Sequence, residues 1–116
     1  MLLPNCYPFW EGADIALAGQ YLRRMHGLVK AAAGEDKAVI VAETGWPERG
    51  APVGAAMPSA ENAMRYFIDV QQWARGEGAK LFYFASFDEP WKRAQEGEVG
   101  TAWGLWDKDE NPKYTA

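Results

Sequence analysis

At 116 residues the chain is long enough for one small domain and too short for two. Its net charge of −4, with no basic cluster, excludes a nucleic-acid partner held by phosphate contacts, and its single cysteine, Cys6, excludes an intrachain disulfide. No apolar stretch approaches the roughly 20 residues needed to cross a bilayer as a helix.

The N-terminus lacks the basic start and apolar run of a secretory signal, and strand-like sequence follows Met1 at once. The chain therefore reads as one that begins mid-fold. Six Trp, five Tyr and five Phe are many for this length, so aromatic rings fill either the core or a ligand groove.

Residues 2–9 read as a first short strand, kept brief by Pro4 and Pro8, which cannot donate to a ladder. Asn5, Tyr7, Phe9 and Trp10 cluster at its exit, either as packing residues or as the wall of a groove, with the groove preferred. From Asp14 to Ala33 the spacing predicts a helix, with Ile15, Ala18, Leu22, Met25, Val29 and Ala32 on one apolar stripe and Gly34 as its stop. His26, the only histidine, sits beside that stripe without ligand partners in sequence and reads as structural.

The second strand is a run of small and β-branched residues, 38–42, that ends abruptly in Glu43-Thr44-Gly45-Trp46-Pro47. Apolar on both faces, it suits a parallel sheet. A carboxylate where such a strand leaves the sheet lies at the carboxyl edge, where α/β folds build ligand sites. Gly45 permits a sharp turn or a close approach, and Trp46 offers a flat face suited to stacking on a sugar. The loop that runs on to Pro58 is long for a compact domain and is expected to be functional or mobile.

Ser59 caps a second helix with Glu61 in its first turn, and Ala60, Ala63, Phe67, Val70 and Ala74 are its expected buried stripe, ending at Gly76 and Gly78. Residues 80–86 form the third strand, again closed by acids and aromatics: Asp88-Glu89-Pro90-Trp91-Lys92. A loop with Glu96 and Glu98 leads to Trp103-Gly104-Leu105-Trp106. The order strand, helix, strand, helix, strand predicts a parallel βαβαβ unit.

Two successive strands thus end in a glutamate followed by aromatics and a proline. On neighbouring strands Glu43 and Glu89 would share one rim, separated by one or two strand spacings of roughly 4.8 Å. Paired carboxylates among tryptophans suit glycoside chemistry, in which one carboxylate attacks or stabilises the anomeric carbon and a protonated one supplies the leaving-group proton. Lys92 can pair with a carboxylate or donate to a sugar hydroxyl. A salt-bridged loop is the alternative reading of the same residues.

Taken together the motifs are more specific. Glu43-Thr44-Gly45-Trp46-Pro47 resembles the ETGWP motif of glycoside hydrolase family 17, (β/α)₈-barrel enzymes of β-1,3-glucans. Asp88-Glu89-Pro90-Trp91-Lys92 with Trp103-Gly104-Leu105 resembles the next strand end in that family. Asn5-Cys6-Tyr7-Pro8-Phe9-Trp10 is similar to the aromatic segment one βα unit earlier. The form is closer to the microbial branch, which includes glucan transglycosylases.

The resemblance implies an α/β fold that is the carboxyl-terminal part of a TIM barrel, about strands six to eight, with three parallel strands and two helices in one partial domain, 1–116. It implies Glu43 as the nucleophile and Glu89 and Lys92 as polar positions beside it. A further glutamate falls at Glu96 or Glu98, with Glu96 preferred, and Tyr7, Phe9, Trp46 and Trp91 would stack on glucose rings. The expected ligand is a β-1,3-linked glucan, with no cofactor, no metal and no nucleic acid. Family members are often secreted, periplasmic or membrane-anchored.

One departure stands out. The family's acid/base glutamate follows an asparagine at the end of barrel strand four, and no Asn-Glu pair occurs in these residues. The expectation is therefore a nucleophile without its acid, on a chain that lacks strands one to five, cleaves nothing by itself, and pairs with itself or with the rest of a barrel.

Overall fold

In the computed structural model, which describes residues 1–114, Asp14 starts the first helix, α1 (Ile15–Ala33). Its side chain accepts a hydrogen bond from Ala16 N, meeting one of the orphan donors of a helix start. Strand β1 (Ile40–Thr44) follows, then α2 (Ala60–Glu77), which Ser59 caps by accepting from Asn62 N at 2.9 Å and which Gly78 closes in the left-handed conformation. Strand β2 (Lys80–Tyr83) runs parallel to β1. A 3₁₀ turn (Pro90–Lys92) leads into α3 (Arg93–Gly100).

The expected three strands and two helices are thus two regular strands and three helices. The first strand is reduced to two isolated parallel bridges, Leu2 to Val39 just before β1 and Asn5 to Glu43 on it. Leu2 N donates to Ala38 O, Ile40 N to Leu2 O and Ala42 N to Pro4 O, but Pro4 has no N–H for the next rung. The third strand ends at Tyr83 rather than Ser86. Beyond it the chain stays in register with residues 103–106: Ala85 N donates to Trp103 O, Leu105 N to Ala85 O and Asp88 N to Trp106 O. Glu96 and Glu98, expected on a loop, lie on α3, which Gly97 kinks at φ 74°.

The core lies between the sheet and the helices. Ala18 and Leu22 of α1 and Ala63, Tyr66 and Val70 of α2 are buried with Val41, Phe9 and Trp46. Tyr66 joins the expected stripe of α2, while Ala60 is exposed. On β2, Tyr83 packs edge-on against Phe67 of α2, so Phe82 turns to the opposite face, where it is 66% exposed.

Residues 44–58 are pinned rather than loose. Trp46 Nε1 donates to Met57 O, Ala55 N to Gly12 O and Glu48 N to Ala102 O, and Ala56 is fully buried. The expectation of a mobile loop gives way to a packed one. His26 packs edge-on against Trp73, and burial, with Lys30 second, lowers its pKa.

Candidate active site at the carboxyl strand ends

Simple alternation along β1 would set Glu43 on the same side as Val39 and Val41, which are buried. The register prevents it. Val41 pairs with Leu81 and Thr44 with Tyr83, so β1 carries one residue more than β2 between these rungs. The same excess appears against the N-terminal segment, where residues 39 to 43 span what residues 2 to 5 span. This is a β-bulge, which turns the strand and re-aims its side chains. Thr44 thereby joins Val41 on the helix side, its hydroxyl 2.7 Å from the Tyr66 hydroxyl of α2, and Glu43 faces the other side.

There Glu43 meets Tyr7, whose hydroxyl donates to Glu43 Oε1. Both line a pocket of about 260 Å³ with Trp10, Phe84, Lys92, Glu96 and Trp103. Burial raises the Tyr7 phenol far above its ordinary range; the hydrogen bond to Glu43 and the charges of Glu43, Glu96 and Glu89 add to the rise. Three carboxylates therefore surround one phenol.

Lys92 Nζ lies 2.9 Å from Glu89 Oε1 and 4.6 Å from the centre of the Phe84 ring. Glu89 Oε1 is buried without a partner of hydrogen-bond geometry, so the contact is an ion pair rather than a directed bond. The lysine is thus engaged by Glu89 and held over an aromatic face.

The remaining sequence candidates separate. Glu96 lines the pocket, whereas Glu98 lies 3.5 Å from Arg49, outside it. Phe9 and Trp46 do not face the pocket. They are 0% and 1% exposed, packed edge-on against each other beneath it. A ring buried on both faces cannot stack on a sugar, which corrects the expectation for these two. Trp91 is 69% exposed on the 3₁₀ turn, beside the pocket rather than in its wall.

Trp10, Phe84 and Trp103 form the aromatic wall instead, with Trp10 stacked on Trp103 at 5.7 Å and 30° and Tyr7 edge-on to Trp103 at 5.5 Å. Trp10 was visible in the cluster after the first strand. Phe84 was hidden inside an apolar run, and Trp103 in a segment without periodicity. Gly45 explains how the wall closes: a Cβ there would lie 1.9 Å from Phe84 O.

Larger hollows of about 580 Å³ lie elsewhere, one of them around Asp88 and Lys113. Size does not choose between them; the convergence of carboxylates, phenol, ammonium and indole faces does. Among the described residues no group of three or more His, Cys, Asp and Glu side chains is placed to hold a metal ion, and no helix is long and apolar enough to cross a membrane.

These features define a parallel α/β chain with an acidic, aromatic pocket at its carboxyl strand ends, a class in which such pockets bind small polar ligands. The chain belongs to glycoside hydrolase family 17: the model of the BtgE/BtgC glycoside hydrolase domain matches residues 1–104. A glucan 1,3-beta-glucosidase of Arthroderma benhamiae is 35% identical over 99% of this chain and 41% of its own length. The crystal structure of a glycoside hydrolase family 17 β-1,3-glucanosyltransferase from Rhizomucor miehei superposes with a TM-score of 0.87 at 34% identity, over 95% of this chain and 40% of that one. An active-site mutant of that transferase in complex with laminaritriose superposes with a TM-score of 0.86 at 33% identity, over the same shares. The chain thus spans about two-fifths of the length of these relatives.

Proposed function

We propose that the chain supplies the nucleophile side of a retaining β-1,3-glucan site, with Glu43 as the attacking group. The observation that carries this reading is the Tyr7–Glu43 hydrogen bond inside a pocket walled by Trp10, Phe84 and Trp103. The Glu43 carboxylate attacks the anomeric carbon and the bond to the leaving oxygen breaks, giving a glycosyl ester. Water or a sugar hydroxyl then displaces Glu43, so hydrolysis and transfer share this step. Glu89, Lys92 and Glu96 bind and orient the sugar hydroxyls, and the indole faces of Trp10 and the exposed Trp91 offer stacking surfaces.

On this reading the chain corresponds to the carboxyl-terminal part of a (β/α)₈ barrel, about strands six to eight. The proton for the leaving group then comes from a carboxylic acid outside these residues, and the 116-residue chain binds β-1,3-glucan without cleaving it. The test is a calorimetric titration with laminaritriose beside product analysis. Saturable binding with no new reducing ends is expected. Release of glucose or laminaribiose by the chain would refute the missing acid, and no binding at millimolar ligand would refute the site.

A second reading, an inert module that self-associates, is favoured by the large apolar side chains left exposed, with Phe82 at 66% and Leu3 also exposed. Light scattering separates them: a concentration-dependent dimer that binds no laminaritriose supports the second.

A further inference from the structure

Asp88 and Lys113 lie outside the pocket, yet they are the most deeply buried oppositely charged pair among the described residues, their side chains 5% and 7% exposed. Lys113 Nζ reaches Asp88 Oδ1 at 2.6 Å and Glu48 Oε1 at 3.2 Å. The same Asp88 oxygen accepts from Gly104 N at 2.9 Å, and Arg49 approaches Asp88 Oδ2 at 3.5 Å. A buried ion pair of this kind adds little net stability over apolar residues of the same volume, but losing one partner is costly because the other is left charged and dry. Its distinctive effect is geometric.

We propose that Lys113 and Asp88 are a positioning pair that fixes the Trp103–Gly104 strand end, and with it the indole wall of the glucan pocket. The chain of contacts is short. Lys113 holds the Asp88 carboxylate, Asp88 holds the Gly104 amide, and the preceding residue, Trp103, is packed against Tyr7 and Trp10. There is no slack at the joint: a Cβ on Gly104 would lie 2.3 Å from Asp88 N. The backbone reinforces it, since Lys113 N donates to Leu105 O and Pro112 bridges Trp106. Lys113 thus ties its own stretch of backbone to the strand end that carries the Trp103 ring of the pocket wall.

The pair's effect on a sugar rests on the glucan reading above, so the test has one arm with ligand and one without. The ligand-free arm is the set of six indole N–H resonances, with that of Trp103 assigned by its loss in Trp103→Phe. In Lys113→Met the Trp103 resonance should shift and broaden while that of Trp73, which packs against His26 of α1 near the amino-terminal ends of the strands, stays in place. Lys113→Arg should restore it. A merely structural role would move all six together or none, and either result overturns the proposal. Should Lys113→Met fail to fold, Asp88→Asn decides on the same criterion. In the ligand arm laminaritriose should bind about tenfold more weakly to Lys113→Met than to the parent. If Lys113→Met displaces Trp103 but the parent binds no laminaritriose, the glucan reading falls and the positioning role stands. If Lys113→Met binds as the parent does, with Trp103 unmoved, the positioning role falls.

Discussion

The Tyr7 hydroxyl donates to Glu43 Oε1 across two parallel segments, and the bulge in β1 makes the meeting possible. Val41 and Thr44, three residues apart, both serve the helix-facing core. Glu43 is left to the opposite face, where Tyr7 arrives from the N-terminal segment. One inserted residue therefore separates a core-facing position from a pocket-facing one on adjacent residues of a single strand.

Tyr7→Phe keeps the ring packed against Phe84 and Trp103 and removes the donor to Glu43. A hydrogen bond to a charged group is worth about 1.5–3 kcal/mol. The bond also orients the attacking carboxylate, so glycosylation of Glu43 by an activated donor should slow by on the order of 10- to 100-fold through lost positioning, and folding stability should fall by up to about the worth of the bond. Stopped-flow release of the leaving group measures it.

Thr44→Val leaves the buried Tyr66 hydroxyl without its partner at 2.7 Å. Stranding such a group costs about 1–3 kcal/mol. Urea unfolding should show that loss, and the double variant Thr44→Val with Tyr66→Phe should recover much of it.

Two tryptophans should respond in opposite ways. Trp46→Ala empties a fully packed site and removes the bond to Met57 O, so it should cost about 3–5 kcal/mol of stability. Trp91→Ala, at an exposed position, should change stability by less than about 0.5 kcal/mol and weaken laminaritriose binding. Paired denaturation and titration of both variants check this.

Much of this architecture was legible in the sequence. Asp14, Ser59, Gly34 and Gly78 mark helix ends because capping and left-handed closure are local chemistry. The parallel order followed from two apolar strands separated by a helix. The roles of Trp46 and Phe9 were not legible, because an indole that stacks on a sugar and one that fills a core have the same composition. Nor was the bulge: residues 38–42 are small or apolar at every position, so no alternation betrays an extra residue. Lys113 and Asp88 are 25 residues apart and look like ordinary surface charges until the fold joins them.

Burial, with the Glu11 charge second, raises the Cys6 thiol from 9.0 to about 11. The folded state therefore favours the protonated thiol. That contribution is complete below about pH 9 and is lost as pH rises through about 11. The melting temperature should fall over this interval, and Cys6→Ala should flatten the fall. Tyr66, also raised by burial, extends the loss to higher pH. A pH series of melting curves for parent and variant tests it.

The proposed role of Glu43 is that of a nucleophile whose acid lies elsewhere. A glycosyl fluoride needs no proton to leave, so a nucleophile without an acid can still open it, and a fluorine at C2 slows breakdown of the ester. Incubation with 2-deoxy-2-fluoro-β-laminaribiosyl fluoride, followed by intact mass and peptide mapping, should find one fluoroglycosyl group on Glu43 and none in Glu43→Gln. A label on Glu89 or Glu96, or an unlabelled chain that nonetheless binds laminaritriose, would rule out that role for Glu43.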